Sequence, residues 1–288
     1  MGIKILTDTC WDLDFDMAKK YDIDLVPLIV HDEEENSYED MFEMKPETLY
    51  SNMRKGTVYK TSQVPYVKFK EKFTEYAEAG DKCIYIAFSS GLSGTYQTGV
   101  LAAEDTKKEY PEFEVTVIDS KCACTGQGLL VLCASMMREK GMSYEEIIEK
   151  TEEYKSQIDH VFTVDDLQYL YRGGRLSKTA AFFGGLLNVK PILELLDGKI
   201  TPYEKERGRK KALKRMVDLM GERSEEINQQ LVFVAQGDCL EDAEYVRKLI
   251  MEKYGVKEVL ISEIGSVIGS HVGPGVLSLF YLKKDYKI

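Results

Sequence analysis

Three clusters of hydroxyl, glycine and histidine residues carry the chemistry this chain can offer. Ser89-Ser90-Gly91-Leu92-Ser93-Gly94-Thr95 follows an apolar run, 83–88, and precedes a helix-forming stretch, 96–110. Such a loop at the carboxyl end of a strand aims free backbone N–H groups, and the positive end of a helix dipole, at one point. That point favours an anion. The same residues also suit an ordinary turn in which Ser93 or Thr95 caps the helix, and the loop alone does not choose between the two. Thr61-Ser62 is the second cluster, read here as the cap of a helix running to about residue 79 with Pro65 in its first turn. The third is Gly269-Ser270-His271-Val272-Gly273-Pro274-Gly275, whose glycines and proline mark a rigid loop around one of only three histidines.

Two catalytic readings can be set against anion recognition. Ser93, Asp119 and His271 occur in the chain order of an α/β-hydrolase triad. A nucleophile elbow needs Gly-x-Ser-x-Gly, however, and here the second glycine comes one place early, at Gly94. Asp119 and His271 are also expected in different domains. A serine hydrolase therefore stands as the alternative. Metal catalysis lacks a His/carboxylate pair at ligand spacing, and Cys122-Ala123-Cys124 has no second pair to complete a zinc site. No Gly-x-x-x-x-Gly-Lys phosphate loop occurs. Hydroxyls and backbone amides without a base or a metal suit recognition of a carboxylate or phosphate. No cofactor is expected.

The elements that must position these clusters alternate between strand and helix. Apolar strands are expected at 3–6, 23–30, 83–88 and 115–119, and helices at 12–20, 44–54, 96–110, 126–139 and 143–156. This alternation argues for a parallel sheet covered on both faces, so 1–157 reads as an N-terminal three-layer α/β/α domain. Beyond it, strands at 160–164, 230–236, 259–263 and 276–282 accompany a hairpin around Asp197-Gly198. A basic helix at 208–221 and another at 241–254 complete the pattern, so 158–288 reads as a second α/β domain with a mixed sheet. No Pro/Gly linker separates the two, which implies close packing. Two apolar stretches, Leu129-Leu130-Val131-Leu132 and 180–187 with its Gly184-Gly185 pair, could pack as core or line a pocket for a long tail.

Composition narrows the partners. The net charge of −11 disfavours general nucleic-acid binding, which wants a basic surface. No apolar run reaches the roughly 18 residues of a membrane span, no signal peptide opens the chain, and six cysteines show no disulfide pattern. A reduced, soluble, cytoplasmic protein is the expectation.

As a set these residues resemble the DegV family of bacterial fatty-acid-binding proteins. The matching pieces run in order along the chain: Thr7-Asp8-Thr9, where the family usually has Asp-Ser, then Thr61-Ser62-Gln63, Ser90 to Gln97, and Val117-Ile118-Asp119-Ser120. Tyr169 to Arg175, Leu187 to Leu193, the basic helix and His271-Val272-Gly273-Pro274-Gly275 follow. The resemblance implies the DegV-like (EDD) fold, with one long-chain fatty acid buried between two α/β domains. Carried over, it implies that Thr61 and Ser93 bind the carboxylate, with Ser62, Gly94 and His271 close by. It also implies an acyl carrier that is not itself an enzyme and serves a separate ATP-binding fatty-acid kinase subunit in phospholipid synthesis. On that view the cations among 205–215, with Arg207 and Arg209, form a docking patch for the kinase, and Arg175 is the foremost partner contact. Helix N-termini and hydroxyls alone would then balance the carboxylate.

Overall fold

The computed structural model describes residues 2–176 and 188–283. The apolar segment 180–187, with its Gly184-Gly185 pair, lies outside them. The first half of the chain runs β1 (Ile3–Asp8), α1 (Phe15–Lys20), β2 (Ile23–Val26), β3 (Ile29–His31) and β4 (Ser37–Glu39). It continues with α2 (Pro46–Arg54), β5 (Lys60–Ser62), α3 (Tyr66–Ala79), β6 (Lys82–Ala87) and α4 (Thr95–Glu109). β7 (Val115–Asp119), α5 (Thr125–Glu139) and α6 (Tyr144–Lys155) complete it. β1, β2, β6 and β7 form a four-stranded parallel sheet in the order β2-β1-β6-β7. Strands buried on both faces read as unbroken apolar runs, and residues 83–87 of β6 are all buried.

Two local expectations change. The strand expected over 23–30 is broken at Pro27, which cannot donate to a ladder. β3 instead joins β4 and β5 in a small antiparallel sheet with Val30 opposite Thr61. Thr61 and Ser62 are therefore strand residues and do not cap α3, whose N-cap is Pro65. Asp14, not Asp12, opens α1 by accepting the Met17 N–H at 2.8 Å. Ser143 caps α6 in a reciprocal box with Glu146, as the sequence suggested.

The second half runs β8 (Ile158–Thr163), α7 (Gln168–Arg172), β9 (Val189–Leu196), β10 (Lys199–Arg207) and α8 (Arg209–Arg223). β11 (Leu231–Gln236), α9 (Leu240–Tyr254), β12 (Glu258–Glu263), α10 (Ser266–Val272) and β13 (Leu277–Leu282) follow. Their sheet is mixed and six-stranded, in the order β10-β9-β8-β13-β11-β12. All its pairings are antiparallel except that of β11 with β12. Asp197 and Gly198, at φ 47° and 75°, make the two-residue turn between β9 and β10, the backbone that an Asp-Gly pair favours.

α5 explains why the two sheets pack closely. It contacts β1 and β6 on one side and β8, β11 and β13 on the other. A helix shared by two sheets must be apolar all round, and nearly every residue from Thr125 to Met137 is buried. Leu129, Leu130, Val131 and Leu132 belong to this common core and do not line the cavity described below.

The N-terminus of α10 is gripped from the first half. Asp12 Oδ1 accepts the Gly265 N–H at 3.0 Å, and Asp40 Oδ1 accepts those of Ser266 and Val267 at 3.0 and 3.3 Å. Burial pushes the Asp40 carboxyl up to about 7. Between pH 4 and 7 the folded chain thus holds a proton that the unfolded chain has lost. Asp40 therefore contributes most to stability in acid, and the contribution declines as pH rises through about 7. Asp40→Asn keeps an oxygen for the two amides and abolishes the titration. Urea midpoints should then fall less for the variant than for the native chain between pH 5 and 8. Parallel pH profiles would show that Asp40 is not linked to folding. Titrating groups that do not feel the Asp40 charge cancel in the comparison, whereas Asp12, raised in part by Asp40, shifts with it.

Candidate functional site

The hydroxyl loop is built from its start by Asp8. This buried carboxylate at the end of β1 accepts the Phe88 N–H and the Tyr85 hydroxyl, both at 2.8 Å. The Ser93 N–H then turns back to the Ser89 carbonyl at 3.1 Å. The Ser93 hydroxyl lies 2.9 Å from that of Thr95 and accepts the Thr95 N–H at 3.2 Å. Neither residue caps α4 in the ordinary sense, since its N-cap is Gly94 with no side-chain bond. The Gly94 amide donates to none of the described residues. The turn of the β9–β10 hairpin closes over this loop, where the Ser89 hydroxyl donates to the Gly198 carbonyl at 2.7 Å.

A cavity of about 360 Å³ opens beside the loop, within the range of small-ligand pockets, about 300–1,000 Å³. Thr61, Ser62, Gln63, Ser93, Gly94 and His271 all line it, so the structure brings together every residue expected to meet an anion. Away from them the wall is chiefly apolar. Val267, Ile268 and Val272 of α10 line it, as do Phe162, Phe280, Leu195 and Ile200 of the mixed sheet.

His271 differs from expectation in its setting, for it sits on α10 rather than in a loop. Its Nε2 is 2.6 Å from Thr61 Oγ1, and its Nδ1 is buried without a partner among the described residues. Burial, reinforced by Arg175 and Arg172, lowers its pKa to about 3, so the imidazole is neutral at physiological pH. A bare nitrogen is the less costly group to leave unpaired, which puts the proton on Nε2, directed at Thr61. The Thr61 hydroxyl proton is then free to point into the cavity. Gly173 makes this arrangement possible, because a Cβ there would collide with His271 Nδ1. Its φ of −71° suits any residue, so Gly173→Ala should act only by displacing the imidazole. A fall in affinity of about tenfold for the cavity's ligand is expected, with little change in melting temperature. An unaltered affinity would mean that His271 does not position Thr61.

Arg175 occupies the cavity wall, which departs from its expected role as an outward contact. Gly174, at φ 72°, turns the chain back. Arg175 Nε then donates to the Leu92 carbonyl at 3.1 Å and Nη1 to that of Gly173 at 2.5 Å. It makes no ion pair with a described residue, and burial lowers its pKa without threatening a guanidinium's charge. The cavity thus contains a fixed cation that sequence reasoning assigned elsewhere. Only the Gly-Gly turn ahead of it hinted that it folds inward.

The other two arginines separate. Arg209 is held by Asp242 at 2.8 Å and faces Asp165 at 3.7 Å, with its side chain 18% exposed, so it is not free to dock. Arg207 is exposed, as are Lys210, Lys211 and Lys214. The triad of the hydrolase alternative is not assembled. Asp119 bonds to the Ser90 amide and hydroxyl and pairs with Lys121 at 3.0 Å, while His271 faces Thr61 and Ser93 faces Thr95. Burial pushes the Asp119 carboxyl up, but the bonds from Ser90 and Lys121 outweigh it and hold it below its usual value. No group of three or more metal-ligating side chains occurs among the described residues.

Comparison with known proteins decides the family. The model of the DegV family, described as an uncharacterised protein family, matches residues 2–284. The chain belongs to the DegV family. A DegV domain-containing protein of Clostridium perfringens is 42% identical over 280 residues, covering 96% of both chains. A DegV family protein of Thermus thermophilus described by its fatty acid binding superposes with a TM-score of 0.90 at 30% identity, covering 98% of this chain and 99% of that one. DegV of Bacillus subtilis, described as a fatty acid binding protein, gives 0.88 at 33% identity, covering 98% and 99%. A stearic acid-binding protein of Eubacterium ventriosum gives 0.90 at 27% identity, covering 98% of each chain. DegV structures thus share the parallel four-stranded sheet and the separate mixed six-stranded sheet. No helix among the described residues is long and apolar enough to cross a membrane.

Proposed function

We propose that this chain binds one long-chain fatty acid in the cavity and presents its carboxylate to a separate ATP-dependent kinase subunit. The observation that carries the reading is the cavity's polarity. One end gathers Thr61, Ser93, Gly94, His271 and Arg175, and the remainder is chiefly apolar. Burying a hydrocarbon tail yields about 0.8 kcal/mol per methylene, and charge-assisted hydrogen bonds at the head fix its direction. Thr61 and Ser93 hold the carboxylate, with Ser62 at the mouth and Arg175 as its counter-charge. The solved relatives that bind fatty acids support this by their fold.

The chain carries no Gly-x-x-x-x-Gly-Lys loop, and the nucleotide site would belong to the kinase partner. A carboxylate oxygen would attack the terminal phosphorus of ATP, releasing ADP and leaving an acyl phosphate. Exposed Arg207, Lys210, Lys211 and Lys214 offer a basic docking face on a chain of net charge −11, where opposite charge accelerates encounter. Organic extraction of the purified chain followed by mass spectrometry should recover a long-chain fatty acid. If none is recovered and none rebinds after delipidation, the reading fails. Hydroxylamine trapping should detect acyl phosphate only when chain, kinase subunit and ATP are combined.

A further inference from the structure

Ser278 is the polar irregularity of the cavity's apolar wall. It lies on β13 directly opposite Phe162, and Phe280 is opposite His160 two residues further along. Leu195 and Ile200, paired across the β9–β10 hairpin, extend the same wall. The other polar side chains at this end have partners. His160 Nε2 accepts the Ala123 N–H at 3.2 Å, and the Cys124 thiol lies 3.5 Å from the Thr125 hydroxyl. Ser278 is only 6% exposed and lines the cavity, yet its hydroxyl meets no hydrogen-bond partner among the described residues. The hydroxyls of Thr61, Ser62 and Ser93 each have one.

Position separates Ser278 from the head-group end. Ser278 bonds to none of Thr61, Ser93, His271 and Arg175, and at a strand rise of about 3.3 Å per residue it stands about 7 Å beyond Val276 along a wall that continues to Phe280. A ligand anchored at Thr61, Ser93 and Arg175 passes Ser278 with its tail. A plain alkyl segment there would strip the hydroxyl of water and leave it unpaired, which opposes binding. An oxygen on the tail would satisfy it, and serine both donates to a keto oxygen and exchanges hydrogen bonds with a hydroxyl.

We infer that the cavity selects a long-chain fatty acid bearing a hydroxyl or keto oxygen part-way along its tail, and that Ser278 is the residue that reads it. The inference rests on the fatty-acid reading above and specifies its ligand. The test uses the delipidated full-length chain and Ser278→Ala. Dissociation constants are measured for stearic acid, for stearic acids hydroxylated at successive mid-chain carbons, and for the matching keto acids. For the native chain, hydroxylation at one narrow range of carbons should tighten binding about tenfold over stearic acid. The keto acid of the same position should follow. In Ser278→Ala that ratio should collapse to about one. Equal binding of stearic acid and every oxygenated acid by the native chain would overturn the inference and leave fatty-acid binding standing. A preference that survives in Ser278→Ala would overturn Ser278 as its reader. Failure of every acid to bind would overturn both readings.

Discussion

A chain carrying Thr61→Ala together with Ser93→Ala should no longer retain a fatty acid through purification. Hydrogen bonds to a charged group contribute about 1.5–3 kcal/mol each, so losing two weakens binding by about 10²- to 10⁴-fold. The tail's contribution is untouched, because neither residue belongs to the apolar wall formed by α10 and the mixed sheet. What fails is the fixing of the carboxylate at one end. Each hydroxyl also has a protein partner, His271 for Thr61 and Thr95 for Ser93, so a modest drop in melting temperature should accompany the loss. Extraction and rebinding assays separate the two effects. A dissociation constant within about threefold of the native value, in a folded double variant, would place the head group elsewhere.

The hydroxyl, glycine and histidine residues that line the polar end of the cavity were legible in the sequence as clusters because they carry local signatures. A hydroxyl-and-glycine loop after a buried strand, and a Gly-Pro-Gly turn beside a histidine, are short-range patterns. The parallel sheet was legible for the same reason, since β6 is an apolar run from Cys83 to Ala87 and β1 and β7 are rich in isoleucine and valine or leucine. What local pattern could not give is the direction in which a side chain is carried by tertiary packing. Thr61 looked like a helix cap, but β3 recruited it into a strand with Val30 opposite. Leu129 to Leu132 could have lined a pocket, but α5 serves two sheets at once and buries every face. Ser278 drew no attention, because a serine in a strand is unremarkable until its cross-strand partner is known to be Phe162, with the Phe280–His160 pair two residues further along.

Arg175→Met should weaken fatty-acid binding by about 10- to 100-fold, and it distinguishes two roles for this residue. Methionine keeps an unbranched stem of similar length, so the side-chain volume is largely kept while the charge and the bond to the Leu92 carbonyl are lost. With His271 neutral, Arg175 is the cation that the described residues place in the cavity wall, and a half-buried charge is screened less than a surface one. A charge-assisted contact of about 1.5–3 kcal/mol accounts for the expected range. The imidazole reports on the same change. Arg175 is one of the charges that hold the His271 pKa near 3, so its removal should raise that value, readable by NMR titration of the histidine. If Arg175 instead serves only as a contact for the kinase subunit, affinity for the acid stays at the native level and acyl-phosphate formation alone declines. The loss of affinity together with the shift of His271 follows only if the guanidinium acts inside the cavity, where it donates to Leu92 and Gly173 and retains one Nη2 group with no partner among the described residues.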